Sequence, residues 1–455
     1  MPFCYDKLWN LTYEKRLNKT NFRDAVGITN STLSRLSKGE TVSMEVLSRI
    51  CEYMECRLED IVEYKRGKMN YISLFSSSGV GCYGFKMEGF DGVASSELIE
   101  RRLQVQKANN KLKYDDGYIL GDITEEKTKK RLFDAVNMYK RRESVSEIDT
   151  IIFTAPCQGM SVANHKKNDG TIEKNSLVVE ALEIVKKIKP KFFIAENVRA
   201  FMNTKCIDHD IKKTISQAFN DWLSSDYVYE SRVINFKDYG ANSSRTRTLV
   251  IGVRKDLSIN VELDNLFPKK EKEKTLRELI FDLPRLDEMG EISSTDIYHN
   301  FKAYRKDMRS WIHDVKPGHS AFENSDITKR PHRLVEGRIV ENVQKNGDKY
   351  TRQRWDCVAP CVHTRNDILA SQNTIHPEDD RVFSIRELMI MMNIPESFKW
   401  TTIPEDKLNT LTLEEKKQYL KKNEINIRQS IGEAIPTIII QKIAHNIKEV
   451  LKNDF

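Results

Sequence analysis

Apolar positions in this chain recur with two different periods, and the change falls near residue 70. Between residues 5 and 64 the spacing is helical. A first helix is expected from Asp6 to Leu17. From Thr20 to Gly39, Phe22, Ala25 and Val26 share one face, Gly27 breaks the helix, and Leu33 and Leu36 resume the stripe. This predicts two short helices about a tight turn. A further helix should follow, capped by Ser43 and burying Val46, Leu47, Ile50, Cys51 and Met54. Tyr64-Lys-Arg-Gly-Lys-Met69 reads as a short basic linker.

From residue 70 onward, short β-rich apolar runs alternate with helical stretches. The strand candidates are Tyr71 to Phe75, Gly92 to Ala94, Thr150 to Thr154, Phe192 to Ala195, Val228 to Ile234 and Thr248 to Val253. Between them Leu177, Val178, Ala181, Leu182, Val185 and Ile188 keep helical spacing. Such alternation argues for an α/β, doubly wound sheet, in which ligands sit beyond the carboxyl ends of the strands. Residues 256–350 lose the rhythm and predict a separate, irregular, partly basic lobe. Residues 403–427 are dense in charge and predict a solvated helix. No internal repeat is visible.

The chain has 455 residues, enough for two or three domains, and 39% hydrophobic residues, enough for sizeable cores. Lys plus Arg exceed Asp plus Glu by 74 − 67 = +7, which permits a polyanionic partner without requiring one. No apolar run approaches the roughly 18 residues of a membrane span. The N-terminus lacks a basic segment followed by an apolar one, so the expected address is the cytoplasm. The 8 cysteines are scattered, so reduced thiols are expected. Cys51/Cys56 and Cys357/Cys361 lack the two-residue gap of a zinc knuckle, so no metal is expected.

The outward positions of the second helix of the pair are Asn30, Ser31, Thr32, Ser34 and Arg35, short polar groups suited to base edges or phosphates. The whole segment resembles a phage-repressor helix-turn-helix domain. The bland alternative is a helical bundle for protein contacts. Downstream, the first strand runs into Phe75-Ser-Ser-Ser-Gly-Val-Gly81, a small-residue turn that lets backbone N–H groups approach a ligand. Glu97, at the next strand end, suits ribose hydroxyls, and Asp122 in Gly121-Asp-Ile123 suits an adenine amine. The turn has no lysine, so an adenosine cofactor without a phosphate chain fits best. Pro156-Cys-Gln158 puts Cys157, a nucleophile, at a strand end. The alternative there is a buried structural cysteine. Glu196-Asn-Val198 ends the neighbouring strand, where an apolar setting should raise the Glu196 pKa. Arg245-Thr-Arg247 precedes the last strand.

Together these segments resemble the C5-cytosine DNA methyltransferase family. The turn from Phe75 to Gly79, Gly121-Asp-Ile123, Pro156-Cys-Gln158, Glu196-Asn-Val198, Arg245-Thr-Arg247 and Gly432-Glu-Ala-Ile-Pro436 occur in the family's order over residues 71 to about 445. Arg354-Trp-Asp356, His376 to Glu387 and Ile394-Pro-Glu-Ser-Phe398 resemble its stretch before the C-terminal helix.

The resemblance implies a Rossmann-like domain that uses S-adenosyl-L-methionine, with Phe75, Ser76, Ser77, Gly79, Val80, Glu97, Asp122, Ile123, Pro156, Leu177, Glu433 and Ala434 around the cofactor. It implies attack by Cys157 on cytosine carbon 6 and proton donation by Glu196 to ring nitrogen 3. Arg247 and Arg245 would hold the exocyclic oxygen and a phosphate, and Asn197 would brace the Cys157 loop. Gln158 would face DNA. The target cytosine must leave the duplex, as the handling of bases by methyltransferases generally requires. The implied domains are residues 1–66 for the helix-turn-helix, 70–255 with 426–455 for catalysis, and 256–425 for target recognition. The implied partners are double-stranded DNA and a restriction endonuclease acting separately.

The sequence departs from the family at four places. Ser77 and Val80 replace glycines of the turn, Ser243 replaces a glutamine, and Glu433 replaces an asparagine. Serine at 77 suggests that φ need not be positive there. Glu433 adds negative charge, to be offset by the cofactor's sulfonium or to weaken product release. A competing reading is a DNA-binding repressor with an inactive methyltransferase body, and the presence of Cys157, Glu196, Arg245 and Arg247 counts against it.

Overall fold

The computed structural model describes residues 3–64, 68–156, 175–343 and 348–453. Two compact units divide the chain: Met1–Met69 with Asn137–Ser146, and Asn70–Val136 with Glu147–Phe455.

The N-terminal unit carries helices α1 (Asp6–Glu14), α2 (Lys19–Val26), α3 (Asn30–Ser37) and α4 (Met44–Met54). Asn18, Thr29 and Ser43 cap α2, α3 and α4, each accepting a backbone N–H of the first turn. Gly27 ends α2 with φ at +71°, a left-handed residue that lets the chain turn into α3 within Gly27-Ile-Thr29. Leu8, Phe22, Ile50 and Ile61 are fully buried between these helices, each contributing about 1.5–3 kcal/mol. The first helix stops at Glu14, short of the expected Leu17, because the chain reverses at Arg16, where φ is +56°. Phe3–Cys4 pairs antiparallel with Glu63–Tyr64, a pairing that periodicity does not announce.

The larger unit is built on a seven-stranded sheet: β1 (Asn70–Leu74), β2 (Asp91–Glu97), β3 (Tyr118–Leu120), β4 (Thr150–Phe153), β5 (Phe192–Val198), β6 (Tyr227–Asn235) and β7 (Thr246–Arg254). In space they run β6-β7-β5-β4-β1-β2-β3. Only β7 opposes the rest, pairing antiparallel with both β6 and β5. All five residues of β1, Asn70-Tyr-Ile-Ser-Leu74, are buried, which demands cover on both sheet faces. Edge strand β6 instead mixes exposed and half-buried residues between the buried Tyr227 and Ile234. Strand order reverses direction at β1, between β4 and β2. The carboxyl ends of these strands therefore open onto the crevice where doubly wound sheets bind ligands.

Helices α5 (Tyr83–Met87), α6 (Glu100–Ala108), α7 (Glu126–Glu143), α8 (Leu177–Ile188) and α9 (Ile215–Leu223) follow in order, then α10 (Leu276–Ile280), α11 (Lys306–His313), α12 (Ile385–Met391), α13 (Glu405–Asn409), α14 (Leu413–Glu433) and α15 (Thr437–Asn453). Gly84 lets α5 lie directly on α15, since a Cβ there would stand 2.4 Å from the Gln441 nitrogen. One hydrophobic cluster joins Val80 and Tyr83 to Leu276, Ile297, Phe383, Leu388, Phe398 and Ile431, and so crosses residue 425. A second gathers Leu286, Phe301, Trp311, Tyr350, Leu369 and Val382, giving that stretch its own core. The charged run after residue 403 is a short helix, α13, followed by the 21-residue α14. Its carboxyl end is buried at Ile431 and Gly432 rather than solvated.

Candidate active site

Three strand ends and the end of α14 meet at the crevice. After β1 the chain bends sharply, with positive φ at Phe75 (+56°), Ser77 (+47°) and Gly79 (+81°). Ser77 is thus left-handed, against the expectation drawn from its being serine. The strain is held by hydrogen bonds on both sides of the residue. Its N–H donates to Glu97 Oε2 at 2.7 Å and its Oγ to Glu433 Oε2 at 3.2 Å. Ser76 Oγ donates back to Ser73 O at 3.0 Å, and Val80 is buried, its carbonyl accepting from Thr437 Oγ1 at 3.1 Å.

Glu97 closes β2, buried, and also accepts the Ile99 N–H at 3.2 Å through Oε1. Asp122 is exposed and caps its own turn, accepting from Thr124 N and Oγ1 at 2.9 and 2.8 Å. Ile123 beside it is buried, Pro156 follows β4 half-buried, Leu177 opens α8 half-buried, and Ala434 is buried past the end of α14. Glu433 is not left for a ligand to neutralise. Arg102 of α6 pairs with it at 2.5 Å and also stands 3.5 Å from Glu97. Nothing in the sequence announced Arg102, since its partner lies 331 residues away.

The other side of the crevice is formed by β5 and β7. Glu196 and Asn197 pair in register with Leu249 and Thr248, which places Arg247 next to Val198 at the strand end. Glu196 is 7% exposed. Burial raises its pKa, opposed by the nearby charges of Arg247 and Arg245. Its Oε1 lies 3.2 Å from Arg247 Nε, yet the orientation gives no hydrogen bond, so among the described residues this oxygen is buried without one. Arg247 donates through Nη1 to the Thr246 carbonyl at 2.8 Å. Asn197 Nδ2 donates to Ala155 O at 2.9 Å and ties β5 to the end of β4. Cys157 and Gln158 lie outside the described residues.

Arg245 departs from its expected task. It is 5% exposed, and its Nη1 donates to Val362 O and Gly432 O, both at 3.2 Å, while Nη2 donates to Glu433 O at 3.4 Å. The last carbonyls of a helix have no partner within it and carry partial negative charge. Arg245 therefore secures the end of α14 and is turned toward protein rather than toward a base or phosphate. Its burial and Arg247 both lower its pKa.

In the N-terminal unit Asn30, Ser31, Ser34 and Arg35 are exposed on α3, and Thr32 is half-buried. Asn30 Oδ1 accepts from Arg23 Nη1 at 2.6 Å, and Arg35 leans toward Glu40 at 3.7 Å. Among the described residues no three His, Cys, Asp or Glu side chains are placed to hold a metal ion, and no helix is long and apolar enough to cross a membrane.

A Rossmann-like sheet with an acidic β2 end, a buried glutamate at the β5 mouth and a helix-turn-helix unit defines a nucleic-acid-modifying class. The comparisons narrow this. The model of the C-5 cytosine-specific DNA methylase family matches residues 69–449, and that of the Cro/C1-type HTH DNA-binding domain matches residues 7–67. The chain belongs to the C-5 cytosine-specific DNA methylase family and is a DNA cytosine-5-methyltransferase. Type II methyltransferase M1.HgaI of Avibacterium volantium is 29% identical over 83% of this chain and 97% of its own length. Type II methyltransferase M.DdeI of Desulfomicrobium norvegicum is 28% identical over 85% and 90%. In fold, the chain is similar to a prophage-encoded DNA modification methyltransferase of E. coli, with TM-score 0.57 and 20% identity over 85% of this chain and 100% of that one. It is also similar to the Dnmt2 methyltransferase of S. pombe, with TM-score 0.51 and 14% identity over 84% and 99%.

Proposed function

We propose that this methyltransferase modifies carbon 5 of a cytosine flipped out of duplex DNA, as the protective member of a Type II restriction-modification or phage-defence system. A separate endonuclease would cut the unmodified sequence. One observation carries the reading: the Glu196 carboxyl is buried at the crevice mouth with an oxygen that, among the described residues, lacks a hydrogen bond, while burial raises its affinity for a proton. A buried polar atom without a partner calls for an explanation, and at a crevice mouth an incoming base supplies one. A protonated carboxyl there can donate to cytosine nitrogen 3 as attack by the Cys157 thiolate on carbon 6 pushes electron density into the ring. Arg247, 3.2 Å from Glu196, keeps a positive charge beside that oxygen and is placed to hold the exocyclic oxygen of the base. Asn197, through Ala155, holds the strand end that leads into Cys157.

The cofactor side fits the adenosine end of S-adenosylmethionine, with the buried Glu97 carboxylate for ribose hydroxyls, Asp122 for an amine, and Phe75, Ile123 and Pro156 as apolar flanks. When bound, that group supplies the electrophilic methyl. Target reading belongs to residues 256–425, centred on the stretch with its own core from Leu286 to Val382. Catalysis belongs to 70–255 with 426–455. Residues 1–66 bind an operator of the protein's own transcription unit through Asn30 to Arg35, and the protein works at the nucleoid in the cytoplasm.

Base-resolution methylation mapping of DNA from cells carrying the intact gene or Cys157→Ser tests this. Methylated cytosine at one sequence, lost in the variant, is the expected result. Methylation that persists without the thiol, or none with the intact chain, refutes it. Deleting residues 1–66 should abolish operator binding and leave methylation measurable. If methylation vanishes equally, the head serves substrate binding instead.

A further inference from the structure

Beneath the cofactor turn lies a charge for which the reaction has no use. Lys111 is 4% exposed. Among the described residues its ammonium meets no carboxylate. Instead Nζ donates to Ser73 Oγ at 2.7 Å, Ser95 Oγ at 3.1 Å and Gln106 Oε1 at 3.2 Å. Three neutral acceptors match its three donors, which is the least that makes a buried cation tolerable.

The arrangement has a directional consequence. An ammonium only donates, so Gln106 must turn its oxygen toward Lys111, and the amide nitrogen must face the opposite way. There Nε2 donates to Ser77 O at 2.6 Å. Ser95 Oγ also donates to Gln106 Oε1, at 2.6 Å, but a hydroxyl can equally accept and would not by itself fix the amide. The turn rests directly on this pair. A Cβ at Gly79 would lie 3.1 Å from Gln106 Cγ and 3.2 Å from Lys111 Cδ. Ser77, held from below through its carbonyl, points its N–H at Glu97.

We propose that Lys111 is a positioning residue for the cofactor site. Acting through the Gln106 amide, its ammonium fixes the Ser77 carbonyl, and with it the left-handed bend that receives S-adenosylmethionine. This rests on the cofactor reading above.

The test is equilibrium binding of S-adenosylmethionine to the full chain by calorimetry, together with thermal melting. Gln106→Glu separates positioning from stability. Its carboxylate would form an ion pair with Lys111 and so keep the ammonium satisfied, while setting an acceptor oxygen against the Ser77 carbonyl. The expected result is a melting temperature close to that of the unmodified chain, with affinity about tenfold weaker, the loss of one hydrogen bond between neutral groups. Lys111→Met should weaken affinity similarly and leave kcat at saturating cofactor unchanged. Lys111→Met combined with Gln106→Leu should bind no more weakly than Gln106→Leu alone.

Unchanged affinity in Gln106→Glu overturns the proposal, and so does an additive double variant. Should Lys111→Met fail to fold, Gln106→Glu decides alone. Absence of binding by the unmodified chain would instead refute the cofactor reading, and the proposal with it.

Discussion

On the cofactor side of the crevice, the Ser77 N–H, carbonyl and hydroxyl all have protein partners, and both Glu97 oxygens accept backbone N–H groups. On the base side, Glu196 Oε1 is buried without a hydrogen bond among the described residues. Such an atom costs about 1–3 kcal/mol. The contrast follows from what each side must do. A cofactor that exchanges at every turnover needs a seat that stays formed while empty. A base that is inserted must meet groups not already committed elsewhere, so that its arrival satisfies them.

The largest effect should come from Glu196→Gln. The amide keeps the shape and can donate a hydrogen bond but cannot transfer a proton, so methyl transfer at saturating DNA and cofactor should fall about 10²- to 10⁴-fold. S-adenosylmethionine affinity should stay unchanged, because the cofactor side makes its own bonds. Loss of affinity in step with rate would erase the distinction between the two sides.

Arg245→Met addresses stability rather than chemistry. It strips a donor from the carbonyls of Val362, Gly432 and Glu433. Urea unfolding should show a loss of about 3 kcal/mol, that of breaking a buried charged contact. A variant of normal stability with lost activity would return Arg245 to the base.

A third region shows what full commitment looks like. Arg381 is fully buried, its Nη1 and Nη2 each donating to Glu387 at 2.8 Å with Asp379 also at 2.8 Å, and His376 stands 3.6 Å from Glu387. Burial pushes the His376 pKa down to about 4. The unfolded chain takes up this proton near its ordinary value of about 6.5, and the folded chain does not. Stability should therefore be full at neutral pH and fall as pH drops from about 6.5 to about 4, by roughly 2–3 kcal/mol. Urea midpoints measured across that range check this, and His376→Gln should flatten the slope.

Much of this site was legible because its residues sit at strand ends in short contiguous motifs. Glu97, Glu196 and Asn197 lie at the ends of buried strands, and the apolar run Phe192 to Ala195 marks the second of them in the sequence. Strand β3, three residues at the sheet edge, gave too few positions for a period. Contacts closed across long stretches of chain stayed hidden: Arg102 to Glu433, Arg245 to the end of α14, and Lys111 under the turn. In each, the partner is a carbonyl, a hydroxyl or a distant charge, and no local spacing encodes it. The left-handed φ of Ser77 belongs to the same class, since the bonds that hold it come from Gln106, Glu97 and Glu433 rather than from its neighbours in sequence.

The smallest effect sharpens the contrast most. Glu433→Asn removes the charge and shortens the side chain by one methylene, which breaks the pair with Arg102. The Glu433 side chain is 35% exposed, so that pair contributes only about 0.5 kcal/mol. Glu97 keeps its two backbone donors, Ser77 N and Ile99 N, and the turn keeps its bond to Gln106. S-adenosylmethionine affinity should therefore shift by less than about threefold, and calorimetry on the variant checks it. A tenfold change in either direction would mean that Glu433 touches the cofactor itself. The cofactor side would then hold an uncommitted charge, as the base side does, and the difference between the two halves would lie in which ligand each waits for rather than in whether it waits.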